Sequence, residues 1–282
     1  MNTQKRNILI PTDFSEICQN AIEHGLMLAK NLNFGVKILH VVNKDTKSYL
    51  KQENLDMEGL EKKLKTCAEE NKKEYKIDVD YVLEKGSIFD VISKVATNEN
   101  ASLIILGTHG KVGFQRLTGS YALKVISNTD VPTIVVQQKA ASTGYNNIVF
   151  PVTVSTKDRQ KISVTVSLAR AFDAKIHIIP KFESDKNFKR KIMSVVKQMK
   201  NIFDEHGIDY VDKVSKEQGG NFAKQVIDYS VVNNADLIII MTSSDQSLPM
   251  FDSWDEQIVF NSSQIPVICV NPAKVKKLNF GW

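Results

Sequence analysis

The sequence predicts an α/β protein of two tandem domains, each a doubly wound five-stranded parallel sheet with helices on both faces. Three observations carry that expectation. The 282-residue chain is long for one α/β domain and suits two of about 140 residues. Short apolar runs alternate with segments whose apolar residues recur at helical spacing, as in repeated βα units. The pattern also occurs twice in the same order. Asn7-Ile-Leu-Ile-Pro11 matches Asn147-Ile-Val-Phe-Pro151, and Phe34-Gly-Val-Lys-Ile38 matches Phe172-Asp-Ala-Lys-Ile176. Ala101-Ser-Leu-Ile-Ile105 matches Ala235-Asp-Leu-Ile-Ile239, and Val131-Pro-Thr-Ile-Val-Val136 matches Ile265-Pro-Val-Ile-Cys-Val270.

Taken in order, Ile8-Leu-Ile10 is a buried strand, and Ala21, Leu28, Ala29 and Leu32 share one face of the helix that follows. Lys37–Val42 is the second strand. Leu60, Leu64, Cys67 and Ala68 form another amphipathic stripe, and Val79, Tyr81 and Leu83 alternate as a strand does. Ile88, Val91, Ile92 and Val95 return to helical spacing, with Ser87 and Asp90 as a capping-box start. Leu103–Gly107 is the fourth strand. Val131–Val136 is the last, its proline suited to an edge. In the second half Asn221 caps a helix that buries Phe222, Val226 and Tyr229. The small, polar stretch Lys139–Tyr145 is the linker, so the domains are expected at 1–140 and 145–275, with 276–282 as a tail. That basic tail, with Phe280 and Trp282, is expected to fray or to pack on a neighbouring surface.

Composition narrows the function classes. Apolar content of 42% and charged content of 24% are those of a soluble globular protein. No apolar run reaches the roughly 18 residues of a membrane span, and the start runs directly into a strand, so a cytoplasmic protein without a signal peptide or membrane partner is expected. The three cysteines, Cys18, Cys67 and Cys269, are scattered, which suggests reduced thiols rather than a disulfide framework or metal site. A net charge of +5 is mild, and no basic stripe with stacking aromatics points to nucleic acid.

The segment from Leu103 to Ser120 carries the chemistry. An apolar strand leads through a glycine-rich, acid-free loop into a helix, with Lys111 and Arg116 nearby. Glycines let backbone approach a ligand closely, and the N–H groups opening a helix favour an anion, so the segment reads as a phosphate cradle. Ligands of doubly wound sheets lie beyond the carboxyl ends of strands at the topological switch point, and both Asp13 and Gly107 follow apolar strands.

Gly107-x2-Gly110, followed after eight residues by Gly119-Ser120, resembles the nucleotide signature of the universal stress protein family, Gly-x2-Gly-x9-Gly-Ser/Thr. Asn7-Ile-Leu-Ile-Pro-Thr-Asp13-Phe-Ser and Val131-Pro-Thr-Ile-Val-Val136 are also typical of that family. The resemblance implies strand order 3-2-1-4-5 and ATP, with or without Mg, as ligand. It assigns Thr12 and Asp13 to the adenine end and the backbone near Val41 to the base pocket. Gly107, His109, Gly110, Gly119 and Ser120 would hold ribose and phosphates, Ser120 doubling as a helix cap. It further implies that the last strands of the two copies pair as an intramolecular pseudo-dimer, and it leaves room for a homodimer.

The second half departs at these positions. Thr153 or Val154 replaces Asp13, Met241-Thr-Ser-Ser244 replaces Gly107-Thr-His-Gly110, and the stretch from Asp245 to Glu256 carries four acids and no base. Crowded like charges reject a triphosphate, so one ATP per chain is expected.

Signatures of P-loop, dinucleotide-binding, zinc-protease and nucleophile-elbow enzymes are absent from the sequence. His40 and His177 fall within apolar strands as structural residues, and no nucleophile or metal cluster accompanies His109. The expectation is a cytoplasmic stress-response or signalling module, not an enzyme, in which bound ATP biases conformation or the choice of an unidentified protein partner. Two alternatives stay open. One is a nucleotide-free interaction scaffold, favoured by the shortened loop. The other is a slow ATPase or autophosphorylating enzyme working through His109, Lys111 or Ser120.

Overall fold

A computed structural model describes residues 5–108, 119–141, 144–212, 220–242 and 254–271. The chain divides into two compact units, Met1–Ala141 and Ser142–Trp282.

The first unit runs β1 (Asn7–Pro11), α1 (Glu16–Leu32), β2 (Gly35–Val42), α2 (Lys44–Gln52), α3 (Met57–Tyr75) and β3 (Val79–Lys85). It continues through α4 (Ile88–Asn98), β4 (Ala101–Gly107), α5 (Gly119–Asn128) and β5 (Thr133–Val136). The strands lie in the order β3-β2-β1-β4-β5, all parallel. Ile8, Leu9 and Ile10 of β1 and Leu103, Ile104 and Ile105 of β4 are fully buried, as expected for central strands covered on both faces.

Local signals explain most boundaries. Ser15 caps α1 by accepting the Cys18 N–H, and Asn33, in left-handed conformation at φ 55°, ends it. Leu60, Leu64 and Ala68 of the expected α3 stripe are buried, while Cys67 is half-buried. Ser87 precedes α4, but its side chain makes no cap bond, so the expected capping box does not form. Helix α2 has no counterpart in the apolar pattern because it buries only Thr46 and Tyr49. A capping box starts it: Asn43 accepts from the Thr46 backbone, and the Thr46 hydroxyl accepts the Asn43 N–H.

The second unit runs β6 (Asn147–Val152), a 3₁₀ turn (Thr156–Lys161), α6 (Ile162–Phe172), β7 (Lys175–Pro180) and α7 (Lys186–Glu205). It ends with β8 (Tyr210–Asp212), α8 (Phe222–Val232), β9 (Leu237–Met241), α9 (Trp254–Val259) and β10 (Val267–Val270). Its parallel strands repeat the order as β8-β7-β6-β9-β10. Asn221 caps α8 through the Lys224 N–H; Phe222 and Val226 are buried, and Tyr229 is half-buried. One helix, α7, stands where the first unit has α2 and α3.

The strand register fixes the repeat more finely than the residues do. Asn7 pairs with Gly35, and Asn147 pairs with Lys175. Gly35 and Lys175 are therefore equivalent, which displaces the Lys37–Lys175 match of the sequence comparison by two residues. The left-handed caps Asn33 and Asp173 obey the same register. Among the described residues, no helix is long and apolar enough to cross a membrane.

Candidate functional site

In the first unit the chain passes from β1 to β2 in one direction and from β4 to β5 in the other, which makes the β1/β4 boundary the switch point. Thr12, Asp13 and Gly107 lie at the carboxyl ends of these two strands. A small pocket beyond the carboxyl ends of β1 and β2 is lined by Thr12, Asp13, His40 and Val41, by Asn43, Asp45 and Thr46 at the start of α2, and by Ile88 and Ile92 of α4. Three residues expected from the sequence, Thr12, Asp13 and Val41, thus meet in one cavity. His40, near the end of β2, and the start of α2 join them without a sequence signal beyond their place at that strand end.

Hydrogen bonds fix the turn carrying Asp13. Its Oδ1 accepts the Ser15 N–H at 3.0 Å, and Thr12 Oγ1 accepts the Phe14 N–H at 3.0 Å. Phe14 adopts φ 65°, a left-handed backbone that a bulky residue occupies at a cost of order 1–3 kcal/mol. Its ring stacks on His40 at 5.1 Å and on Tyr49 of α2 at 5.7 Å. His40 Nδ1 donates to the Thr12 carbonyl at 2.9 Å, and Nε2 lies 3.3 Å from Thr46 Oγ1. The ring is thus a structural tie between the pocket wall and α2.

Burial, followed by the nearby Asp13 charge, pushes the Cys18 thiol up to about 12, so it carries no thiolate near neutrality. Burial also raises Cys269, and all three cysteines are free. Among the described residues, no cluster suited to a metal ion is present.

Gly107 is required by packing. A β-carbon there would lie 2.7 Å from the Ile17 carbonyl oxygen in the first turn of α1, closer than such contacts occur. His109 and Gly110, with Lys111 and Arg116, lie outside the described residues. Gly119 and Ser120 open α5, which brings backbone N–H groups of a helix start into the segment after β4.

The second unit has a different arrangement. The Ser155 N–H donates to Thr153 Oγ1 at 3.2 Å, as Ser15 does to Asp13, which settles Thr153 rather than Val154 as the equivalent of Asp13. Met241 stands in the place of Gly107, and the turn packing against β9 is 3₁₀ where α1 is α-helical. In that turn Lys161 and Asp158 take the places of Ala21 and Cys18. Both are buried, with Lys161 Nζ 2.9 Å from Asp158 Oδ1 and 2.8 Å from the Pro151 carbonyl oxygen that accepts from it. Asp158 Oδ2 accepts from the Thr153 N–H and hydroxyl at 2.7 and 2.9 Å. The carboxyl end of β6 is therefore tied by the unit's own ion pair. Desolvation lowers the proton affinity of Lys161, while Asp158 opposes that effect.

Most of the acidic stretch after β9 lies outside the described residues. Asp255 and Glu256 are described, and both are buried in the first turn of α9, where the helix dipole favours carboxylates. Trp254 packs on Phe222, with ring centroids 5.8 Å apart.

A sequence model of the universal stress protein family matches residues 5–137. Two relatives from Methanocaldococcus jannaschii each match about half of the chain. Universal stress protein MJ0531 is 33% identical over 144 residues, covering 47% of this chain and 82% of the relative. Universal stress protein MJ0577 is 29% identical over 162 residues, covering 49% of this chain and 99% of the relative. Among solved structures, a universal stress protein from Archaeoglobus fulgidus matches 95% of this chain and 99% of its own, with TM-score 0.76 at 19% identity, a likeness of fold.

Proposed function

The chain belongs to the universal stress protein family, and from that premise we propose that its first unit binds one ATP while its second binds none. The observation that carries this reading is the contrast between two copies of one fold. In the first, Asp13 and the end of β2 line a pocket, and Gly107 ends β4. In the second, the equivalent place holds Thr153, Met241 and the buried Lys161–Asp158 pair.

The residues of the first unit suit a purine nucleotide. A carboxylate and strand-end carbonyl groups are acceptors for an exocyclic amine, and Ile88 and Ile92 supply apolar surface. Gly110, Gly119 and Ser120, with His109, would hold ribose and phosphates at the opening of α5, where helix N–H groups favour anions.

The proposed role is a binding switch in a cytoplasmic stress response, not turnover. A nucleotide shifts a conformational equilibrium only through unequal affinity for its states. Helix α2 is the element best placed to respond: Asn43, Asp45 and Thr46 line the pocket, and only Thr46 and Tyr49 are buried. Gly110→Val tests the reading by calorimetric titration with ATP. Loss of binding with unchanged circular dichroism is expected, and unchanged affinity would refute the assigned loop.

A further inference from the structure

Helix α7 breaks a rule that its counterpart in the first unit keeps. Between second and third strands, α3 carries five acids and five lysines, including a Lys65–Glu69 pair one helical turn apart. Helix α7 carries six lysine and arginine residues against two acids, Asp204 and Glu205, both at its end. Lys186, Lys189 and Arg190 crowd the first turns, where the positive end of the helix dipole disfavours cations. Among the described residues, only Lys200 of these six has an ion pair, with Asp212. The N-cap carboxylate of Asp185 offsets one of these charges, and the excess that remains is the kind of inconsistency that marks a functional surface.

The spacing collects these charges on one face. Lys186, Arg190, Met193 and Lys197 fall at helical intervals away from the buried stripe of Ile192, Val195, Val196, Met199 and Phe203, and Lys189 flanks that stripe on the same side. They span about 17 Å at 1.5 Å per residue. All are exposed, and Met193, 41% exposed, stands among them, whereas Phe188, 44% exposed in the first turn, continues the line of the buried stripe.

We propose that this face of α7 docks on an anionic lipid surface. A basic cluster of this size on an amphipathic helix matches acidic headgroups in charge, and the exposed Met193 can enter the interfacial layer between them. The observations disfavour a nucleic acid. The helix lies on its sheet along its apolar stripe, so it offers a flat flank rather than a tip entering a groove, and the basic face carries no aromatic ring on which a base could stack.

The test is co-sedimentation of the full chain with vesicles of phosphatidylcholine alone or with one-third phosphatidylserine, at low and high salt. Binding only to the acidic vesicles, relieved by salt, is expected. Lys186→Gln/Lys189→Gln/Arg190→Gln should weaken it roughly a hundredfold. Lys65→Gln/Lys72→Gln/Lys73→Gln in α3 removes the same charge and should change it less than about threefold. Met193→Ala should weaken it several-fold without changing charge. All substituted residues are exposed, and circular dichroism checks the fold. Absence of binding to acidic vesicles, or equal loss in the two triple variants, would overturn the proposal. So would tighter binding of a duplex DNA or RNA probe through the same α7 residues.

Discussion

Gly107 stands against Ile17 so closely that a β-carbon would lie 2.7 Å from the Ile17 carbonyl oxygen. The end of β4 and the first turn of α1 can meet in this way only with glycine at the contact. The second unit has Met241 there, a 3₁₀ turn in place of the helical first turn, and a buried lysine in place of Ala21. One residue at the end of a central strand thus accompanies the divergence of the two sites.

Gly107→Val should destabilise the first unit by about 1–3 kcal/mol, the usual cost of overpacking, since the opposing atoms are backbone. Urea unfolding of the full chain should show an earlier transition, and nucleotide binding should fall with it. An unchanged midpoint would mean that α1 yields freely.

Asp13→Asn keeps an oxygen to accept the Ser15 N–H, so the turn should survive with less than about 1 kcal/mol lost. Replacing the carboxylate should nevertheless weaken ATP roughly tenfold or more if Asp13 accepts from the base as proposed, because that acceptor becomes partly a donor. Titration calorimetry beside thermal unfolding separates the two effects.

Lys161→Met leaves Asp158 buried without its cation and should destabilise the second unit by about 3–5 kcal/mol. Adding Asp158→Asn should restore most of that, since the amide oxygen can still accept from Thr153. Denaturant unfolding of the single and double variants gives the coupling directly. A single variant as stable as the parent would contradict the role given to the pair.

Much of this fold was legible in the residues. The repeat, strand order and buried stripes follow from apolar periodicity and family resemblance, and Asp13 and Val41 do line one pocket. Three features were not legible, for physical reasons. Helix α2 rests on a capping box and two buried side chains, too little apolar surface to register as periodic. The true register of β7 is set by hydrogen bonding to β6, which an apparent Lys-Ile match cannot reveal. Lys161 reads as a surface residue until the fold folds it beneath Phe150, whose ring centroid lies 4.3 Å from Nζ.

His24 gives a pH prediction. Its Nε2–H donates to the Lys139 carbonyl at 3.1 Å, and Asn20 holds the carbonyls of Gln137 and Lys139, so α1 anchors the segment after β5. Burial holds His24 below its ordinary 6.5. The unfolded chain therefore takes up this proton at higher pH than the folded chain, so the contribution to stability is full above 6.5 and is lost as pH falls below it. His24→Gln, which can still donate to Lys139, should flatten the dependence of the urea midpoint as pH falls below 6.5. An unchanged slope would assign the acid sensitivity elsewhere.

The central claim, one nucleotide site in two copies of one fold, is tested most directly by equilibrium titration of the purified full chain with ATP, after denaturing an aliquot to count any nucleotide already bound. The account predicts one ATP per chain, lost in Gly110→Val and kept in Lys161→Met/Asp158→Asn. Two sites per chain, or none, would contradict it.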